Sequence, residues 1–365
     1  MSDPTPASIF RELERRKRFL SGGFWIKIGL LTLFLLAPFL FPSFKSVDLM
    51  IKIIIFATLV ASFDILLGYT GIISFGHGMF FGIGAYCLGF FLSKYGSPSY
   101  LNIILAFSAA IVVSFLLALF ISFLSLRIKA IFFAMITLAL AEFSLILAMK
   151  LSRFSGGEDG ISISLPGIFT VSTDFGRILG LDITGRIVTY YFILLICLGL
   201  FLMMLRFTRS PLGRVLQAIR DNVQRAEALG YSTFIYQIIS ITFGCIVASV
   251  VGGLYALWVR YINPESCLST VIVLDVLIMV IIGGMGTLYG SFIGAAFLQM
   301  AQTFLPDLQK FAKTLFPHAD LLHNAMERWL LIFGILFILI VFFFPRGVMG
   351  TIQEITARRK AGRAS

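Results

Sequence analysis

The sequence predicts an all-α fold: a polytopic helical membrane protein of about ten transmembrane helices. Three observations predict it. The chain of 365 residues is 59% hydrophobic and only 13% charged, with 39 Phe, and its mean hydropathy is +0.98. A soluble fold of this length exposes too much surface to be so apolar. Several apolar runs reach the roughly 20 residues that a helix needs to cross the bilayer core, whereas a β-barrel would show short alternating strands. The basic residues gather at the ends of these runs, so the net charge of +11 reads as orientation in a membrane, with no nucleic acid as partner.

The candidate spans follow one another as Phe24–Phe41, Leu49–Leu67, Ile72–Leu92, Leu101–Leu124, Ile131–Met149, Ile187–Leu205, Ile238–Trp258, Val271–Ile282, Tyr289–Leu305 and Trp329–Phe344. Residues 1–23 form a basic N-terminal segment, residues 24–344 the transmembrane domain and residues 345–365 a basic tail. The first span follows "RELERRKRF". Its apolar run is too long for a signal peptide and has no small-residue cleavage site, so it reads as an uncleaved anchor. With the N-terminus in the cytoplasm, about 17 Lys and Arg fall inside and about 10 outside, the direction that the positive-inside rule requires. Both termini and the polar region 206–232 are then cytoplasmic. The longest external loop is 150–186, where four acids roughly balance four bases. Pro306–Arg328 is polar enough to hold a short surface helix. Cys87, Cys197, Cys245 and Cys267 lie far apart without a CxxC pair and read as inert thiols.

One stretch breaks the apolar pattern: "RSPLGRVLQAIRDNVQRAEALG", Arg209–Gly230. Ser210 is a good N-cap, Pro211 suits the first helical position, and Gly230 closes the other end. Leu212, Val215, Leu216, Ile219, Val223, Ala226 and Leu229 recur at helical spacing and make one apolar stripe. Arg214, Gln217, Asp221, Gln224 and Arg225 occupy the other face, with Asp221 and Arg225 one turn apart and able to pair. A continuous helix here would extend roughly 28 Å, with a bend at Asn222 as the alternative. Two roles fit this segment. It is either a helix lying among lipid headgroups or a lever whose outer face docks on a cytoplasmic partner. The small residues Gly213, Ala218, Ala226 and Ala228 favour docking.

Two further stretches are rich in glycine. "GYTGIISFGHGMFFGIGAY", Gly68–Tyr86, carries six glycines beside Ser74 and His77, and "GGMGTL" occupies Gly283–Leu288. Glycine at this density permits an unwound turn or lets helices approach closely. Irregular polar backbone at membrane depth belongs where it lines a cavity, and paired glycine interruptions point to transport sites. The expected translocation route therefore borders Gly71, Ser74, Gly76, His77 and Gly78 in the first stretch and Gly283, Gly284 and Gly286 in the second. For His77, a helix–helix hydrogen bond competes with contact to solute. Asp64, Glu142 and Asp275 are acids within spans. They suit either a proton relay or structural hydrogen bonds, and Asp64 and Glu142 have no evident basic partner in the sequence.

These stretches resemble a known family, the branched-chain amino-acid permeases of the LivM type in ABC importers. The family's "GYTGQISFGHGAFFGIGAY" stands here as Gly68–Tyr86 with Ile72 in place of Gln. Its "FAMITLAFAE" is echoed by Phe133–Glu142, "GGMGTL" is intact, and an acid often found as Glu before it is Asp275. Ala226–Gly230, "AEALG", is a permuted match to the Glu-Ala-Ala and Gly pattern of the cytoplasmic coupling region in such permeases. The resemblance implies an ABC-importer permease fold in a bacterial or archaeal cytoplasmic membrane, surrounded by lipid. It also implies two ATPase subunits that hydrolyse ATP, a second permease (identical or homologous) and an external solute-binding protein. The ATPase-coupling residues would be Pro211, Gly213, Arg214, Arg220, Asp221, Ala226, Glu227 and Gly230. The solute would be a branched-chain amino acid, with urea, short amides or other amino acids as related alternatives.

From another class, the intramembrane acids leave an ion-coupled secondary transporter as a rival. No phosphate-binding GxxxxGK[ST] occurs, so the chain is expected to bind no cofactor and to be a transport subunit without catalysis of its own. "LSRFSGGEDG" superficially resembles an ATPase signature but reads as a glycine-rich turn in the external loop. His318, Asp320, His323 and Glu327 have poor spacing for a metal site. Ser74 and His77, three residues apart, lack a third residue to orient them as an enzyme.

Overall fold

Apolar runs bounded by polar or glycine-rich turns become helices here, and their neighbours follow from where glycine allows close approach. The computed structural model describes residues 22–40, 43–94, 98–125, 130–170, 173–178, 181–315, 329–352 and 354. In chain order the long helices are α1 (Gly22–Leu40), α2 (Phe44–Asp64), α3 (His77–Lys94), α4 (Tyr100–Ser125), α5 (Ala130–Lys150) and α6 (Gly185–Arg209). Two short helices come next, α7 (Pro211–Asp221) and α8 (Val223–Ala228), followed by α9 (Thr233–Val259). Then come α10 (Pro264–Leu268), α11 (Thr270–Gly283), α12 (Gly290–Leu315) and α13 (Trp329–Phe343).

A helix overlies each predicted span, and the fold is all-α and polytopic. Among the described residues, 7 helical segments are long and apolar enough to cross a membrane. The remaining predicted spans fall on α1, α3 and α12. The apolar part of α3 is shorter, His77–Ser93, because the expected start at Ile72 is not helical. Helix α12 runs through Pro306 to Leu315, so part of the expected surface helix is a continuation of this span. Residues 316–328, including His318, Asp320, His323 and Glu327, lie outside the described residues, as do 1–21 and 355–365.

The most enclosed of the seven spans runs from Phe44 to Thr70, while α5 and the last span are the least enclosed. Around this centre, glycine sets the spacing. A Cβ on Gly84 would run into the Ser249 carbonyl of α9, and one on Gly252 into the Phe81 carbonyl of α3. The two backbones therefore touch across a reciprocal pair of glycines, a contact that no larger residue permits.

The 150–186 loop is less irregular than its sequence suggests. Strand β1 (Ile161–Ser162) pairs antiparallel with β4 (Tyr261–Ile262), and β2 (Asp174–Ile178) pairs with β3 (Leu181–Thr184). In "GGEDG", Gly156, Gly157 and Gly160 have φ of 73°, 64° and 71°, the left-handed region that glycine adopts without steric cost. The turn brings Gly160 against Ile262 and Asn263. It fixes the loop at the end of the bundle where α9 terminates.

Candidate functional site: a glycine junction beneath a polar helix pair

Two glycine stretches more than two hundred residues apart meet at the opposite end of the bundle. Beyond Asp64 the helix widens into a π-helical turn, Ile65–Thr70, which Gly71 ends at φ 75°. Thr70 secures it, its hydroxyl donating to the Ile65 carbonyl over 3.0 Å and lying 2.7 Å from Ser240 Oγ. The Gly71 N–H still bonds back to the Leu66 and Leu67 carbonyls, and residues 72–76 then run outside any helix until α3 begins at His77. In the second stretch α11 ends at Gly284, φ 107°, and Gly286 takes φ 76°. The Gly286 N–H donates to Asp64 Oδ1 over 2.8 Å. A Cβ on Gly68 would meet both Asp64 Oδ1 and the Gly286 backbone. Single π-helical turns of this kind collect at functional sites.

The polar insert closes over this junction. Ser210 caps α7, accepting from the Gly213 N–H, and Pro211 occupies the first turn. Of the two forms that the sequence allowed, the structure takes not the continuous rod but the one interrupted at Asn222. Its backbone is extended, at φ −162° and ψ 105°, and its side chain caps α8 by accepting from the Arg225 N–H over 2.9 Å. The break also corrects the expected pairing, since Asp221 and Arg225 no longer share one helix and make no ion pair in the structure. Glu227 accepts from the Thr233 hydroxyl over 2.8 Å, tying α8 to α9.

The inner stripe is real but shorter than its periodicity suggests. Gly213, Leu216, Ile219 and Ala226 are buried, whereas Val223 and Leu229 are exposed. Gly213 is small for a reason internal to the chain, because a Cβ there would strike the Thr208 carbonyl of α6. Of the small residues, only Ala218 and Ala228 face outward with Pro211, Arg214, Asp221 and Gly230. Arg220 is exposed as a residue, but the tip of its side chain reaches inward, its Nη1 donating to the Gly68 carbonyl. Its Cγ lies 3.2 Å from where Gly71 would carry a Cβ, and its Nη1 lies equally close to that point on Gly286.

The predicted route residues divide. Gly71 borders an open apolar groove of about 330 Å³ lined by Ile73, Phe75, Ile131, Met135 and Leu138, of which Ile73, Ile131 and Met135 lie exposed on the surface of the chain. Ser74 and His77 are buried, at 2% and 1% exposure. His77 Nε2 lies 2.8 Å from Ser62 Oγ and its ring packs edge-on against Phe63, so Ser62, and not Ser74, is its hydroxyl neighbour. Gly76 rests against Thr137 and Gly78 against Val273. Gly283 is pressed on the Gly290 backbone. Glu142 accepts from the Thr270 hydroxyl, and Asp275 Oδ2 accepts from the Gln302 amide over 3.2 Å.

Residues 46–341 match the family described as the permease component of branched-chain amino acid transport systems. The chain belongs to that family. Among its relatives, the high-affinity branched-chain amino acid transport system permease protein LivM of Escherichia coli is 28% identical over 302 residues, covering 78% of this chain and 69% of the relative. The protein BraD of Pseudomonas aeruginosa, described in the same terms, is 26% identical over 314 residues, 81% of this chain and 91% of its own length. A probable LivM of Methanocaldococcus jannaschii is 24% identical over 71% of both chains. No solved structure matches. As a family permease this is a multi-pass membrane transport component.

Sequence reasoning missed two contributors to the junction. One is Asp64, noticed as an acid but not placed. The other is the stretch after α13, where Gly347, φ 70°, packs on Gly284 and the Arg346 carbonyl also faces Gly284. The only signal for the latter was "PRG" after an apolar run.

Proposed function

We propose that this chain is the membrane-spanning subunit of an ATP-driven importer, with α7 and α8 in the cytoplasm receiving the motion of two partner ATPase subunits. A second permease and an external solute-binding protein complete the assembly, and ATP is hydrolysed by the partners without a cofactor on this chain. The observation that carries the reading is the two-sidedness of α7–α8. Its inner stripe is packed on the bundle, Arg220 reaches both glycine stretches, and its outer face, Gln217, Ala218, Val223 and Gln224 among it, is open. The distribution of basic residues supports the orientation, with both termini on the same side as this face.

The solute is a branched-chain amino acid or a close relative. The names of the relatives support this class. Mechanically, the subunit alternates between two arrangements of its helices, and ATP binding at the partners favours one of them. Motion entering at α7 reaches the unwound turns at Gly68–Gly76 and Gly283–Gly286, the places where the backbone can change direction at least cost.

Ala218→Trp tests the reading, because it adds bulk to the open face and touches nothing inside the bundle. Uptake in proteoliposomes should fall about tenfold or more, the effect of losing roughly 1.4 kcal/mol at an interface. The ATPase subunits should be lost on purification while the permease stays inserted. Full ATPase retention with normal uptake would refute the docking role. Uptake by the permease alone, driven by a pH gradient, would favour the secondary-transporter reading.

A further inference from the structure

We propose that Asp64 and Arg220 form a charge latch between the helix pair α7–α8 and the glycine junction. In one arrangement the guanidinium holds the Gly68 carbonyl, and in the other it takes the free oxygen of Asp64. The proposal rests on the reading above, that α7–α8 transmits partner motion, and assigns the transfer to two side chains.

Asp64 stands at the end of α2 with 1% of its surface exposed. Its Oδ1 is engaged by the Gly286 N–H and the neighbouring Thr287 N–H also bears on the carboxylate, while its buried Oδ2 lies within hydrogen-bond distance of no partner among the described residues. A buried carboxylate oxygen left unsatisfied is costly, and an ionisable group inside a membrane domain is retained for a reason. Arg220 is the cation beside it in space, for its Nη1 reaches the Gly68 carbonyl and lies close to Gly286, the residue whose N–H holds Asp64. Its Nη1 is already committed to Gly68 O, and Gly68 is one turn beyond Asp64 on the same widened helix. The two side chains are not within ion-pair distance in this arrangement.

The spare acceptor and the nearby donor fork are complementary. A guanidinium presents five N–H groups in one plane and fits a carboxylate with two parallel bonds. Rotation of the last side-chain dihedrals of Arg220, or a small slide of α7, exchanges the carbonyl for the carboxylate. Three glycines keep the space open for this. A side chain at Gly68 would occupy the contact between Asp64 and Gly286, and side chains at Gly71 or Gly286 would crowd the arginine itself. Packed interfaces move between discrete arrangements in preference to deforming continuously. A single arginine with two acceptors supplies two such arrangements.

The test is a double-mutant cycle in the complete transporter, reconstituted with its ATPase subunits, reading solute uptake per ATP hydrolysed. Asp64→Asn and Arg220→Gln should each lower that ratio about tenfold, within the range of ordinary coupling energies. The double variant should be no worse than the poorer single one, because both remove the same interaction. Multiplicative losses, or normal coupling in Asp64→Asn, would overturn the latch. Should Asp64→Asn not accumulate, Arg220→Lys against Arg220→Gln decides. Coupling retained with the cation and lost without it supports the latch, and equal behaviour of the two overturns it. Loss of ATPase association in the unsubstituted protein would instead refute the docking reading, so the two failures are distinct.

Discussion

The glycines of Gly68–Gly76 and those of Gly78–Gly84 belong to one motif yet do opposite work. In the first group the backbone leaves the helix, Gly71 turns left-handed, and Gly68 keeps the Asp64, Gly286 and Arg220 contacts possible. In the second group the helix is regular, and the missing side chains let α3 press on α9, α10 and α11 at Ser249, Leu268 and Val273. The same residue type thus builds a hinge-like turn and a rigid seam within about two helical turns of each other. The difference separates substitutions that remove the protein from those that leave it folded and unproductive.

The largest effect should come from the seam. Gly84→Val places a branched side chain against the Ser249 carbonyl, where neither backbone can yield without moving a helix. Overpacking of this kind costs about 1–3 kcal/mol in ordinary cores and more against backbone. Membrane-inserted protein should fall to near background in a fluorescence size-exclusion assay, and normal accumulation would break the distinction.

At the junction the expected result is milder in amount and sharper in kind. Gly286→Ala forces a non-glycine residue to φ 76° beside Arg220, a strain of about 1–2 kcal/mol. Accumulation should stay near normal while uptake per ATP drops several-fold; a parallel loss of both would make the junction merely another seam. The smallest effect belongs to Gly230. It also has positive φ, 86°, but nothing lies within 4 Å of an added Cβ. Gly230→Asn should cost under about 1 kcal/mol, since Asn tolerates this conformation, and should leave thermal stability within about two degrees of the unsubstituted protein.

Much of the fold was legible because hydropathy reports segment length directly, and each predicted span carries a helix. The cap at Ser210–Pro211 and the closing glycine were legible too, being local chemistry. What hydropathy does not report is which helices are neighbours. The Arg220–Gly68 contact joins residues 152 apart, and the Gly286–Asp64 contact joins residues 222 apart. Asp64 therefore looked unpartnered in sequence, while its hydrogen-bond donor, the Gly286 N–H, lay in the other glycine stretch. The apolar stripe over-ran at Val223 and Leu229 because periodicity continued through a break that Asn222, a residue able to cap its own successor helix, had made. The two β pairs were missed for a similar reason, since strands of two to five residues leave too short a pattern to read.

The central claim is that partner motion enters the bundle through the outer face of α7–α8. The direct measurement is photo-crosslinking from a reactive residue placed at Gln224, exposed on that face, in the assembled transporter during turnover. The account predicts a covalent product with an ATPase subunit, formed from the cytoplasmic side and changing in yield with nucleotide. A product with lipid alone, or labelling of this position from the external side, would contradict it.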